Sequence, residues 1–190
     1  VDALLRGEAD DALRSRAAAL GWVDDEQVTV LVGTTPGGSP GGPVGGPAGA
    51  VVDELRRLAR SAGADALIVV QGNRVVVVVG RVRDPLAAAA ALTAAFGPGP
   101  VVTGPVVPGL HEAGRSARAA LAGVTAARAW PSAPRPVAAD DLLPERLLTG
   151  DLTARRALVD RAYRRLLAQD APLLDTVATY LELGRSLEGT

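Results

Sequence analysis

Ala66-Leu67-Ile68-Val69-Val70, then Gln71-Gly72-Asn73, then Arg74-Val75-Val76-Val77-Val78-Val79-Gly80: two β-forming runs flank a short link that contains glycine and asparagine. A link of that length and composition predicts a hairpin, so the two strands should be antiparallel neighbours. Val75 to Val79 shows no polar alternation, which predicts a strand covered on both faces. A central hairpin excludes a purely parallel, doubly wound sheet. The expected fold class is therefore α/β, an α+β sandwich with a mixed sheet.

Working outward, the pattern on the N-terminal side is strand, glycine-rich stretch, helix. Gln27 to Val32 reads as a strand, and Ala50 to Ala62 as a helix that Gly63 ends. Between them, Gly33 to Gly49 holds eight glycines and four prolines and reads as a solvated, flexible loop. Before the strand, Asp2 to Leu20 is helical in pattern, with Leu4, Leu5 and Leu13 fitting either a dimer seam or internal packing. On the C-terminal side, Asp84 is placed to cap a helix that starts with Pro85 and runs to about Phe96. Val101 to Val107 follows as a strand, and Pro105, which lacks a backbone donor, puts it near an edge or its own end. Leu110 to Ala127 is a helix, and Arg135 to Ala139 a short last strand. From Asp141 onward the pattern is all-helical: Asp141 to Leu148, Leu152 to Ala168 and Pro172 to Leu183, with stops at Gly150 and Gly184. The expected divisions are a helical segment at 1–22, an α/β domain at 23–139 and a helical tail at 140–190.

Composition removes several chemistries. The 190 residues include no cysteine and one histidine, His111, so neither a thiolate nucleophile nor a multi-histidine metal site can form. Every one of the 20 basic residues is arginine, which removes a phosphate-loop lysine and Schiff-base chemistry. Net charge is -1, so no general attraction to nucleic acid is expected over the whole surface. No apolar run reaches the length of a membrane span and no signal-peptide pattern opens the chain, which predicts a cytoplasmic protein without a membrane partner.

The remaining candidates are few. The glycine-rich stretch lies after a strand, where phosphate loops occur, but G-x-G-x-x-G spacing is absent and its prolines lack donors. Asp140-Asp141 precedes L-L-P-E-R and reads as a helix cap or a surface pair rather than two catalytic carboxylates. His111 and Ser116 could be imagined as a nucleophile pair, yet no G-x-S-x-G elbow exists, and a surface or capping histidine is favoured. Arg155, Arg156, Arg161, Arg164 and Arg165 crowd one helix, with Ala157, Leu158, Ala162, Leu166 and Leu167 read as its opposite side. A solvated face is the plain reading, and an approach surface for DNA phosphate the sharper one. No catalytic, cofactor-binding or metal-binding residue is expected.

The tail also carries a resemblance. Leu173-Leu174-Asp175-Thr176-Val177-Ala178-Thr179-Tyr180-Leu181, with Gly184, Ser186-Leu187 and Thr190, is similar to the segment leading into the helix-turn-helix of PucR/CdaR-type bacterial transcription regulators. Ala139-Asp140-Asp141-Leu142-Leu143-Pro144-Glu145-Arg146 and Gly150-Asp151 resemble their preceding linker, and Val102-Thr103-Gly104-Pro105 through Ala120 the end of their GGDEF-like domain. Val177 departs conservatively from the usual leucine. The resemblance implies a degenerate nucleotidyl-cyclase, GGDEF-like palm followed by the beginning of a DNA-binding unit cut off at Thr190. It also implies a regulator of fatty-acid or other metabolic genes. Active relatives of the palm hold divalent metal with carboxylates on the hairpin turn and on the first strand. Here Gln71-Gly72-Asn73 and Val28 to Gly33 have none, so the resemblance implies no cyclase activity and no cofactor. The expected role is a non-catalytic regulatory and dimerisation domain, with DNA reached through a helix-turn-helix mostly outside this chain. A small-molecule or nucleotide sensor without turnover is the alternative.

Overall fold

The computed structural model describes residues 18–19, 22, 27–37, 48–168 and 171–183. The expected first helix falls almost wholly outside these residues, as do most of the glycine-rich loop and the segment from Gly184 onward.

The hairpin forms as expected. β2 (Ala66–Gln71) and β3 (Arg74–Val79) pair antiparallel, with Gln71 opposite Arg74. Because those two residues pair, the turn has only two residues, and its first, Gly72, adopts φ +60°. β3 then pairs antiparallel with β1 (Gln27–Thr34), which extends two residues further than its hydrophobic run. Among the described residues the sheet has six strands, in the order β2-β3-β1-β4-β6 with β5 (Val107–Pro108) pairing β1 off that path, where β4 is Val102–Thr103 and β6 is Val137–Ala138. β4 runs antiparallel to β1 and parallel to β6, so the sheet is mixed.

Both faces of the sheet are covered. Val75, Val77 and Val79 pack with Leu55 and Ala59 of α1 (Ala48–Ser61), and with Ala89 and Leu92 of α2 (Pro85–Leu92). Val76 and Val78 join Val28, Val30 and Val32 beneath Ala113, Ala117 and Ala120 of α3 (Ala113–Ala126). An unbroken run of valines is what a strand with two apolar faces requires. Local signals act where expected. Asp84 Oδ1 accepts from Leu86 N and Ala87 N at the start of α2. At the end of α1, Gly63 takes φ +68° while Gly63 N and Ala64 N donate to the Arg60 and Ala59 carbonyls.

Three expectations need correction. Val101 to Val107 is not one strand: β4 and β5 (Val107–Pro108) pair separately with β1, and the chain leaves the ladder between them. The tail helix α4 spans Leu143–Leu148, and Leu142 sits at its cap with no side-chain capping bond. Asp140 and Asp141 therefore do not cap it. Asp140 instead accepts from Arg161. Finally, Leu152 to Ala168 is not one regular helix: α5 (Leu152–Leu158) passes through a π-helical turn, Val159–Tyr163, into α6 (Arg164–Leu167). The last described helix is α7 (Ala171–Glu182).

Candidate functional site

The β2–β3 turn lies against the end of β1, where Thr35 N donates to the Asn73 carbonyl at 2.9 Å. The end of the hairpin and the strand beside it carry amide and hydroxyl side chains, with no carboxylate among Gln71, Gly72, Asn73 or Val28 to Gly33. Among the described residues no group of three or more histidines, aspartates or glutamates could hold a metal ion.

Ser116 and His111 are separated by their environments. Ser116 is fully buried, and its Oγ accepts from Val30 N at 2.9 Å. That bond satisfies a backbone donor close to where β4 and β5 part from β1. Thr29 Oγ1 donates to the Gly104 carbonyl at 2.7 Å and lies 3.0 Å from Thr103 Oγ1, completing a buried hydroxyl cluster. His111 is exposed, with Nε2 4.0 Å from a Glu112 carboxylate oxygen. The surface reading of His111 agrees with this placement.

Between α1, α2 and the sheet lies an open cavity of about 740 Å³. Alanines 59, 62, 87 and 88 line it with Arg81 and Arg83. Arg81, at φ +60°, bonds Asp65 through Nε at 3.1 Å.

The segment from α5 to α6 carries its arginines on the surface. Arg155, Arg156, Arg161, Arg164 and Arg165 all reach solvent. Arg161 bonds Asp140, and Arg164 Nε lies 3.1 Å from Asp160. Arg155, Arg156 and Arg165 have no ion pair among the described residues. The side expected to be apolar is only partly covered: Ala157, Leu158 and Leu166 are half-buried, whereas Ala162 and Leu167 are exposed. Leu152, Val159 and Tyr163 are also exposed and share the surface with the arginines.

Sequence reasoning missed the junction that holds this segment to the α/β domain. Arg146 is only 3% exposed, donating to Asp151 Oδ2 through Nε and Nη2 at 3.0 and 2.8 Å, and to the Ala139 carbonyl at 2.9 Å. Asp151 Oδ1 meanwhile accepts from Thr153 N and Ala154 N, capping α5. Burial is the largest influence on the Asp151 carboxyl and pushes its pKa up. The Arg146 and backbone hydrogen bonds, with the Arg146 charge, together outweigh it and leave the pKa below the ordinary value. Gly150, at φ +89°, lets the chain turn back between the two helices. The available signal was an arginine one turn after Leu142 and Leu143, on the apolar face of its own helix.

Residues 6–126 match the family model of the GGDEF-like domain. Over 189 residues the chain is 40% identical to uncharacterized proteins of Mycobacterium tuberculosis and Mycobacterium bovis, covering 99% of this chain and 46% of each relative. The chain thus spans about half the length of the curated relatives it matches. It is also similar to the solved structure of a regulator of polyketide synthase expression from Bifidobacterium adolescentis. The TM-score is 0.76 at 28% identity, over 98% of this chain and 72% of that one.

Proposed function

The chain belongs to the GGDEF-like domain family, and on that premise we propose that it is a non-catalytic regulatory domain of a DNA-binding transcription regulator of the PucR/CdaR type. The observation that carries the reading is the end of the β2–β3 hairpin, where Gln71, Gly72 and Asn73 stand in place of carboxylates. Metal-dependent cyclisation needs anionic oxygen ligands to hold divalent ions and activate a hydroxyl, and neutral amides do this poorly. Likeness to a regulator of polyketide synthase expression supports the regulatory half of the reading.

In this reading residues 1–22 form a helical segment, 23–139 the palm and 140–190 the linker with the first part of a helix-turn-helix. The exposed Leu173 and Leu181 on α7 fit a helix whose apolar face is completed by later helices. Arg155, Arg156, Arg161, Arg164 and Arg165 would approach DNA phosphate, without reading sequence. The working form would be a cytoplasmic homodimer acting on a two-fold symmetric site in metabolic genes. A second reading, a small-molecule or nucleotide sensor without turnover, draws on the cavity between α1, α2 and the sheet.

Two assays test the proposal. Incubation with GTP or ATP and magnesium or manganese should give no cyclic product, and metal-dependent product would overturn the non-catalytic reading. Fluorescence anisotropy should find sequence-selective binding by a protein extended past Thr190, and none by residues 1–190 at near-physiological salt. An extended protein that ignores all promoter DNA would remove the transcription-factor reading.

A further inference from the structure

A second cleft, of about 480 Å³, lies where the palm meets the helical tail, a volume within the range of small-ligand sites. Its charged lining is unequal: Arg115, Arg118, Arg146 and Arg161 face Asp140 and Asp151. Arg146 is committed to Asp151 and Arg161 to Asp140. Arg115 lies 3.7 Å from Glu112, a loose contact for an ion pair. Arg118, exposed one turn further along α3, has no ion pair among the described residues. Ala119, Leu143 and Ala157 give the cleft apolar walls.

We infer that this cleft binds a small organic anion carrying a phosphate or a pair of carboxylates, held by Arg118 and Arg115. Their three-residue spacing puts both guanidiniums on one face of α3. Guanidinium forks match either oxyanion, and the surplus of positive charge favours a dianion over a monoanion. The pair of buried Arg146 and half-buried Asp151 stays intact and acts as a positioning element, fixing the wall that α4 and α5 contribute. Arg161, on the π-helical turn, stands on the tail side of the cleft. A dianion seated there would bridge palm and tail and favour their docked arrangement. That last consequence rests on the regulatory reading above, whereas binding itself does not.

Isothermal titration calorimetry on residues 1–190 tests the site at fixed ionic strength. The probes are glycerol 3-phosphate for the phosphate source and succinate for the dicarboxylate, with potassium chloride as control. Saturable single-site binding is expected for at least one probe, with a Kd of about 1 mM or tighter. Arg118→Ala and Arg115→Gln should each weaken it at least about tenfold, while Arg83→Ala, at the other cavity, should leave it unchanged. Hydrogen exchange in α5 should slow on saturation. Absence of saturable binding by both probes, or unchanged binding in the Arg118 and Arg115 variants, would overturn the site. An equal loss in Arg83→Ala would overturn it as nonspecific charge attraction. Unchanged exchange in α5 beside intact binding would overturn the bridging role alone. No arm contains DNA, so failure of the transcription-factor reading is told apart from failure of this one.

Discussion

Asp151 does two jobs with one carboxylate: it caps α5 and neutralises a guanidinium that has lost its water. Removing it by Asp151→Ala leaves Arg146 buried without its charge partner, a change that costs about 3–5 kcal/mol in comparable settings. For a chain of this size each kcal/mol is worth about 2–4 °C, so the melting temperature should drop by roughly 10 °C. The double variant Arg146→Met with Asp151→Ser should recover much of that, since serine still caps and no stranded charge remains. Calorimetric melts of the variants form the cycle, and a double variant as unstable as Asp151→Ala would refute the pairing argument. The pH dependence has a definite sign. Because the folded Asp151 carboxyl sits below its ordinary value, its contribution is fully present above the unfolded value of about 3.9. It is lost as the pH falls through the lower folded value. Acid unfolding of the double variant should therefore be less steep than that of the parent in this range.

Among elements, α3 and the strand break depend on each other. A continuous strand would have met β1 with its own backbone, but after Gly104, whose N donates to the Val30 carbonyl, the chain leaves the ladder, and Ser116 supplies an acceptor to Val30 N. Ser116→Ala should cost about 1–3 kcal/mol by leaving that buried donor unsatisfied. Gly104→Ala should cost at least as much, because an added Cβ would collide with the Ser116 backbone carbonyl and hydroxyl. Urea denaturation can rank the two. A urea midpoint unchanged in either would mean that this junction is slack. The contrast with the hairpin is instructive. Gly72, Asp84 and Gly63 act on neighbours within a few residues, so their roles were legible in the sequence. The Ser116–Val30 bond links residues 86 apart and leaves no local pattern.

At the scale of the whole molecule, the arginine helix is the feature whose meaning depends most on what surrounds it. Arg161 is paired with Asp140 and Arg164 with Asp160, leaving Arg155, Arg156 and Arg165 as the unpaired outward charges among the described residues. Replacing these three with glutamine should leave the melting point of residues 1–190 nearly unchanged, as exposed substitutions do. In a DNA-binding extended protein, the same change should flatten the dependence of log affinity on log salt by about 2 to 3 units. An unaltered salt slope would mean that these side chains meet no phosphate.

The sequence by itself determined the hairpin, the doubly covered valine strand, the caps at Asp84 and Gly63, and the absence of carboxylates from the β2–β3 turn. All four follow from local periodicity, turn chemistry or residue type, which need no partner from afar. Only the tertiary structure decided that Asp140 would pair with Arg161 instead of capping α4, and that Arg146 would be buried against Asp151. It also decided that Arg115 and Arg118 would face the tail across a cleft. Such assignments turn on which charges end up within a few ångströms after the sheet and helices have packed. Competition between a nearby backbone donor and a distant guanidinium is settled by that packing, because desolvation and distance set the strength of each interaction.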